Sequence, residues 1–430
     1  MQIIELIEAT GAKVLAEVDK DLDVKISTDT RTIQKGDFYL PLKGASFDGE
    51  KFINQAFEKG AIGAFCTGDN GTLQVKDTLT AYLQLANYRR KKLNFTVVAI
   101  TGSSGKTTTK ELAASVLSEK FRTFKTPLNH NNEIGFCQTI FEAPDDTEIL
   151  VLEMGMRGLG EIELLSKYAE PDITIISNVG TAHIGRLGSR ENIAKAKCEI
   201  VKYQRGNIFI AHDDELIKKT VQFSGKKIFY SIKDVKILEK DTHYSKFEYY
   251  GNIYELNVGG DYNIENALSA INTGLALRMK VNEIQSGLKK YAPIEKRWEA
   301  VNAGGFEIIN DSYNANPESM RAFIDTIFEL YEKPVVILGD MGELGEDEIK
   351  YHSELGKYIN SHKNIRQDAE ILSIGKLSKY ITDGVTNCPA KHFETIEQAV
   401  DYIKNKDTKV QLFLKASRSM KFERIIEELK

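Results

Sequence analysis

The chain has no run of about 18 apolar residues, and its opening MQIIELIEATG carries neither a basic leader region nor a long apolar core, so neither a membrane span nor a secretion signal is expected. Paired cysteines are missing too. Cys66, Cys137, Cys198 and Cys388 stand far apart with no CxxC spacing, which argues against a zinc site or disulfide framework and fits the reducing cytoplasm. Nor is there an excess of one charge: 57 basic against 62 acidic residues leave −5, so no overall field favours nucleic acid or an anionic membrane. An anionic ligand must then be held by local groups. Repeats and low-complexity tracts are absent as well. The 430 residues, 42% hydrophobic and 28% charged, have the composition of an ordinary soluble protein of about three domains.

The stretch AITGSSGKTTTK (residues 99–110) organises what is there. An apolar, β-branched run at 96–100 predicts a buried strand before it, and the spacing of 107–117 predicts a helix after it. Glycines in such a loop let backbone N–H groups turn toward a phosphate, and the helix N-terminus adds partial positive charge. Lys106 can reach terminal phosphate oxygens, and Thr107 can place its hydroxyl on Mg²⁺. The general pattern GxxxxGK[ST] requires glycine at position 100, where this chain has Ile100; Gly102 stands two residues late. The alternative is an ordinary βα turn.

Around this joint the chain alternates. Strands are predicted at 37–42 and 61–66, with a helix at 52–59, in a small first α/β unit. Its segments STDTR (27–31) and KGASFDGEKF (43–52) place polar residues at strand ends, where solvated turns are the plainer explanation. Strands at 149–152 and 173–177, each followed by glycine and a helix, give the central unit the grammar of a parallel sheet with ligands at its carboxyl ends. Glu153, His183 and the stretch TPLNHNNEIG (126–135) fall on those ends. A carboxylate just past a buried strand and opposite a phosphate loop is suited to Mg²⁺. In the helix expected at 190–203, Lys195 and Lys197 are two apart and face different directions. A pattern at 244–258 predicts a hairpin at a sheet edge, and helices should follow after the glycines at 259–260 and over 281–291. From residue 296 strands at 306–310, 334–338 and 410–414, with helices at 319–331 and 419–429, predict a second doubly wound unit without its own phosphate loop. Its polar residues gather in DSYNANP (311–317) and KASRSM (415–420).

Together these segments resemble the muramyl (Mur) ligase family of peptidoglycan stem-peptide synthesis, specifically its MurF type. TGSSGKTTTK is similar to the family's own phosphate loop, and LEMGMRGLGEI, NVGTAHIGRLGSRENIAKAKCEI, INDSYNANPESM, LGDMGELG and LKASRSM follow in the family's order. The resemblance implies an α/β protein of three domains: a small UDP-sugar-binding unit (1–92), a central phosphate-loop ATPase unit with a mostly parallel sheet (93–295) and a Rossmann-like unit for an incoming dipeptide (296–430). It implies ATP and Mg²⁺ as cofactors, with ATP held by Gly102, Ser103, Ser104, Gly105, Lys106, Thr107, Thr108, Asn263, Asn266, Arg297 and Asp311. Thr107, Glu153, His183 and Lys197 would hold metal, Lys197 as a carbamate; Lys106, Glu153, His183 and Lys197 would carry catalysis.

Ser27, Thr30, Arg31, Phe47, Asp48 and Gly49 would bind the UDP end, Asn129 and Asn132 the muramyl-peptide, and Tyr313, Asn314, Asn316, Lys415 and Arg418 the D-alanyl-D-alanine side. Asn310, Trp298, Glu50 and Ala416 depart from residues common in the family, and none removes a charge the chemistry requires. The implied partners are UDP-N-acetylmuramoyl-tripeptide and D-alanyl-D-alanine, acted on by a cytoplasmic monomer with no nucleic acid and no membrane insertion. The competing expectations are a single-amino-acid ligase, MurE-like or folylpolyglutamate synthase-like, and a nucleotide-dependent switch.

Overall fold

The run TVVAIT forms the strand Thr96–Thr101, in the middle of a six-stranded, wholly parallel sheet of order 226–230, 208–212, 173–176, 96–101, 149–153, 123–125. This computed structural model describes residues 1–44, 47–365 and 367–430; Ala45 and Ser46 of the KGASFDGEKF segment lie outside the described residues. Strands buried on both faces need helices on both sides, and alternate side chains divide accordingly. Val98 and Ile100 pack with Leu112, Val116, Ile264 and Leu268 of the helices Lys106–Leu117 and Asp261–Ala276. Val97 and Ala99 pack on the other face with Phe136, Ile140, Ile162 and Ile193. The helix expected at 190–203 runs Arg190–Cys198 and tightens into a 3₁₀ turn at Glu199–Val201.

The first unit is a five-stranded sheet of order 13–14, 73–74, 63–66, 38–39, 26–27, parallel except at its first pair. The strands expected at 37–42 and 61–66 shorten to Phe38–Tyr39 and Gly63–Cys66, and the helix is Ile53–Glu58. The helix Thr78–Leu93 joins this unit to the next. It packs on Ile3–Thr10 behind and on Glu133–Glu142 and Glu161–Ala169 ahead, so one apolar cluster runs from Ile3 to Val221. Arg90 on that helix is fully buried; its Nε donates to the Ala169 carbonyl at 2.8 Å and its Nη2 to that of Glu170 at 3.0 Å, capping the neighbouring helix end.

The hairpin forms as Ser245–Tyr249 and Asn252–Leu256, turning through Tyr250 and Gly251 at φ 49° and 72°. As expected the hairpin lies at a sheet edge, with Asn252–Leu256 as the outer strand, but the sheet is a separate three-stranded antiparallel one that it forms with Lys236–Lys240. Phe247, Tyr249, Tyr254 and Leu256 bury its inner face in the core shared with the helix Val281–Lys290, and so draw it off the main sheet.

The last unit is again six-stranded, of order 299–303, 306–310, 412–415, 335–339, 370–374, 390–393, with only its first pair antiparallel. Its first helix starts two residues before the expected 319, at Pro317, because Asn316 caps it and proline suits the first helical position. The last helix is Glu423–Leu429, preceded by a 3₁₀ turn at Arg418–Met420. Among the described residues no helix is long and apolar enough to cross a membrane.

Candidate active site

The phosphate loop starts the site. Gly105 takes φ 76° as the helix N-cap, and an added Cβ would meet Asn266 Oδ1 at 2.4 Å; at Gly102 it would meet Ser177 Oγ at 1.9 Å. Close packing therefore fixes both glycines, and at Gly105 the backbone conformation does so as well. Asn178, past the end of the strand Ile173–Ile176, holds the loop from behind. Its Oδ1 accepts from the N–H groups of Ser103 and Ser104 at 3.1 and 3.0 Å, and its Nδ2 donates to the Ser104 carbonyl and hydroxyl at 3.1 and 3.0 Å. Ser177 Oγ donates to the Ser104 carbonyl at 2.6 Å. Lys106 folds back so that Nζ donates to the Gly102 carbonyl at 2.8 Å, and burial pushes its ammonium below the ordinary lysine range against the opposing pull of Glu153. Thr107 and Thr108 are buried in the first turn, and Thr109 Oγ1 donates to Asn266 Oδ1 at 3.2 Å. Asn263 Nδ2 donates to the Gly259 carbonyl at 2.7 Å.

Glu153 ends its strand buried and faces this loop across a cavity of about 1240 Å³. Asn131 Nδ2 donates to its Oε1 at 2.9 Å, whereas its buried Oε2 has no hydrogen-bond partner and lies 3.9 Å from Lys110 Nζ. A buried carboxylate oxygen without a hydrogen bond, its nearest ammonium 3.9 Å away, fits a cation, and Thr107 lines the same cavity. No cluster of three or more His, Cys, Asp or Glu side chains capable of holding a metal occurs among the described residues. One buried carboxylate and a threonine hydroxyl are a donor set suited to Mg²⁺, which takes one or two protein groups with phosphates and water completing its shell. His183, at φ 67°, lines the cavity with Nδ1 at 2.6 Å from Glu343 Oε2, a contact that lowers the Glu343 carboxyl below its usual range.

Lys195 and Lys197 do face different ways. Lys195 is exposed; Lys197 is 1% exposed and has no ion-pair partner among the described residues. Burial pushes its amine well below the ordinary lysine range, and the positive charge of Lys106 adds to the shift. Neither Lys197 nor Gly102 is among the residues that line the cavity.

The opposite wall comes from the last unit. Lys415 Nζ donates to Asp311 Oδ2 at 2.6 Å, so the two predicted groups pair with each other. The guanidinium carbons of Arg297 and Arg418 lie 4.0 and 5.9 Å from the ring centre of Tyr313. Asn316 and Asn132 also line the cavity, yet each side chain caps a helix, accepting from Ser319 N and Gly135 N at 2.9 Å. Asn314 and Asn129 are exposed, and Asn314 Oδ1 accepts from Ala315 N at 2.9 Å.

The N-terminal candidates lie apart: none of the six lines this cavity. Ser27 Oγ donates to the Asp29 carbonyl at 3.3 Å, Thr30 Oγ1 to Gln55 Oε1 at 3.1 Å, and exposed Arg31 is held by Asp29 through Nη2 at 2.6 Å. Phe47 stacks on Phe52 with ring centres 5.6 Å apart, both partly solvent-facing. Asp48 caps the turn Gly49–Phe52, and Gly49 abuts Leu42, whose carbonyl an added Cβ would meet at 2.7 Å. Asn131, Asn178, Glu318 and Glu343 are site residues that sequence reasoning missed. Asn131 and Asn178 sit in segments already singled out, but nothing local distinguishes them from turn asparagines.

A phosphate loop facing a second α/β unit across one shared cavity is the arrangement of a nucleotide-dependent enzyme. The family model described as Mur ligase middle domain matches residues 100–274, and that described as Mur ligase, glutamate ligase domain matches residues 296–418. The UDP-N-acetylmuramoyl-tripeptide–D-alanyl-D-alanine ligase of Bacillus subtilis (strain 168) is 37% identical, covering 94% of this chain and 92% of that one. A crystal structure of MurF from Acinetobacter baumannii matches with TM-score 0.89 at 28% identity, covering 100% of this chain and 98% of its own. The MurF ligase of Thermotoga maritima in complex with ADP matches with TM-score 0.83 at 28% identity, covering 94% and 96%. The chain belongs to the Mur ligase family, and within it to the MurF type.

Proposed function

We propose that this chain is the ATP-dependent, ADP-forming ligase that adds D-alanyl-D-alanine to UDP-N-acetylmuramoyl-tripeptide. The observation that carries this is one cavity shared by the phosphate loop, Glu153, Asp311, Tyr313, Lys415 and Arg418. A carboxylate is a poor electrophile, so amide formation needs an activated acyl group. Transfer of the ATP γ-phosphoryl to the tripeptide carboxylate supplies one, with ADP leaving. The dipeptide amine then attacks the acyl carbon, a tetrahedral intermediate collapses, and phosphate departs as the C–N bond forms.

In this scheme the loop N–H groups and Lys106 orient the β- and γ-phosphates, while Asn263 and Asn266 flank the adenine side. Arg297 and Asp311 reach the nucleotide from the other wall. Thr107, Glu153 and His183 would hold Mg²⁺, which when bound neutralises charge on the phosphates. The neutral amine of Lys197 is the form that adds carbon dioxide, forming an N–C bond and losing a proton to give a carbamate; the depressed basicity of that amine supports this assignment. Residues 1–92 take the UDP-sugar through Ser27, Thr30, Arg31 and the 47–49 turn, with Asn129 and Asn132 along the muramyl-peptide. Residues 93–295 take ATP; residues 296–430 take the dipeptide through Tyr313, Asn314, Asn316, Lys415 and Arg418. All substrates are water-borne, and we place the reaction in the cytoplasm, carried out by a monomer.

Purified protein should release phosphate from ATP only when both the nucleotide-linked tripeptide and D-alanyl-D-alanine are present. Turnover with a single free amino acid in place of the dipeptide would reassign it to a MurE-like reaction.

A further inference from the structure

The first turn of the helix Pro317–Leu330 reaches the central unit through Glu318. Glu318 Oε2 accepts both hydrogen bonds that Thr181 offers, from the backbone N–H at 3.0 Å and from Oγ1 at 2.8 Å. Gly180 allows this approach, since a Cβ there would meet the Glu318 carboxyl at 2.9 Å. The same short segment is fastened to the phosphate loop. Gly180 N–H donates to Ser103 Oγ at 2.9 Å, and Asn178 grips Ser103 and Ser104 two residues earlier. A continuous path thus runs from the 311–317 segment, through the Glu318 carboxylate, to the loop that faces the phosphates.

We propose that Glu318 is a positioning residue that ties docking of the C-terminal unit to the shape of the phosphate loop. This rests on the assignment of residues 311–317 to the dipeptide side. Docking of that unit brings Glu318 onto Thr181, fixes 177–181, and through Ser103 sets the loop for phosphoryl transfer. Dipeptide binding and ATP chemistry would then be coupled through one carboxylate oxygen at the edge of the shared cavity.

A first-turn glutamate also favours its own helix through charge, so the variants must separate the two roles. Glu318→Ala, Glu318→Gln, Thr181→Val and the Thr181→Val/Glu318→Ala pair should be made in the full chain. Two readouts apply: steady-state kinetics, and amide hydrogen exchange of the segments around 102–106 and 177–183 without substrates. Losing both hydrogen bonds should raise the dipeptide KM about tenfold in Glu318→Ala and speed exchange in both segments by about the same factor. Gln keeps an oxygen acceptor but no charge, so Glu318→Gln should stay within about twofold of the parent, and the double variant should be no worse than Glu318→Ala alone by more than about twofold. The proposal is overturned if Glu318→Ala speeds exchange only within its own helix, if Glu318→Gln behaves like Glu318→Ala, or if the two single effects multiply. If the parent protein shows no dipeptide-dependent turnover, the functional assignment fails while exchange still judges the tie.

Discussion

The phosphate-loop wall of the cavity is stitched by hydrogen bonds between neighbouring parts of one sheet, whereas the C-terminal wall pairs its own charges. On the first, Asn178 and Ser177 hold loop atoms in place and one oxygen of Glu153 accepts no hydrogen bond. On the second, Lys415 is spent on Asp311, and Arg297 and Arg418 lie against Tyr313. One wall is built before any ligand arrives. The other carries cations whose present partners are other protein groups, so an anionic ligand there must exchange an existing contact for a new one. That suits a unit that closes after its substrate is in place.

The sharpest break in this comparison lies on the side of the built wall. Lys197→Ala should lower turnover by about a hundredfold or more, with partial rescue by added small carboxylates. Full activity would remove the carbamate from the mechanism. Gly102→Ala attacks the wall itself: its Cβ would sit 1.9 Å from Ser177 Oγ, and relieving that overlap should cost about 1–3 kcal/mol of stability, read by denaturant unfolding, together with weaker ATP binding. An unchanged midpoint would mean that the loop is softer than its hydrogen bonds imply.

Changes on the self-paired wall should be milder. Tyr313→Leu removes the ring from two guanidinium groups, each contact contributing about 0.5–1 kcal/mol, and should raise the dipeptide KM several-fold while ADP affinity measured without the dipeptide stays the same. Loss of ADP binding would instead assign Tyr313 to the nucleotide. The smallest effect concerns pH. Buried His352 accepts the Met341 N–H at Nε2 (2.9 Å) while Nδ1 lies 2.7 Å from the Glu348 carbonyl, and burial pulls its pKa below the ordinary 6.5. The neutral ring belongs to the folded state, so its contribution is complete above about pH 6.5 and is lost as pH falls toward the lower folded value. His352→Gln should flatten that part of the stability–pH curve; an unaltered slope would locate the titration elsewhere.

Much of the built wall was legible in the chain. The strand, loop and helix over 96–117, the carboxylate at 153 and the opposite facing of Lys195 and Lys197 follow from local periodicity, which acts over a few residues. The hairpin was legible as a hairpin but not in its placement, because its partner strand and its packing lie outside the pattern. That Asn132 and Asn316 cap helices while lining the cavity was not legible. Cap geometry depends on where the helix begins, and a sequence fixes that only to within a few residues.

What lay beyond the sequence is the set of contacts made at long separation. Asn178 reaches residues 74 and 75 positions earlier, Thr181 meets a carboxylate 137 positions later, and Asp311 and Lys415 are 104 apart. Each of these is a polar residue in a turn or at the end of a strand or helix, where composition alone favours solvent. The sequence by itself determined the α/β class, the phosphate loop and the residue types able to bind phosphate and metal. Only the tertiary structure decided which side chains brace that loop, which oxygen of Glu153 accepts no hydrogen bond and which cations are already paired, because those depend on which strands distant in sequence lie side by side.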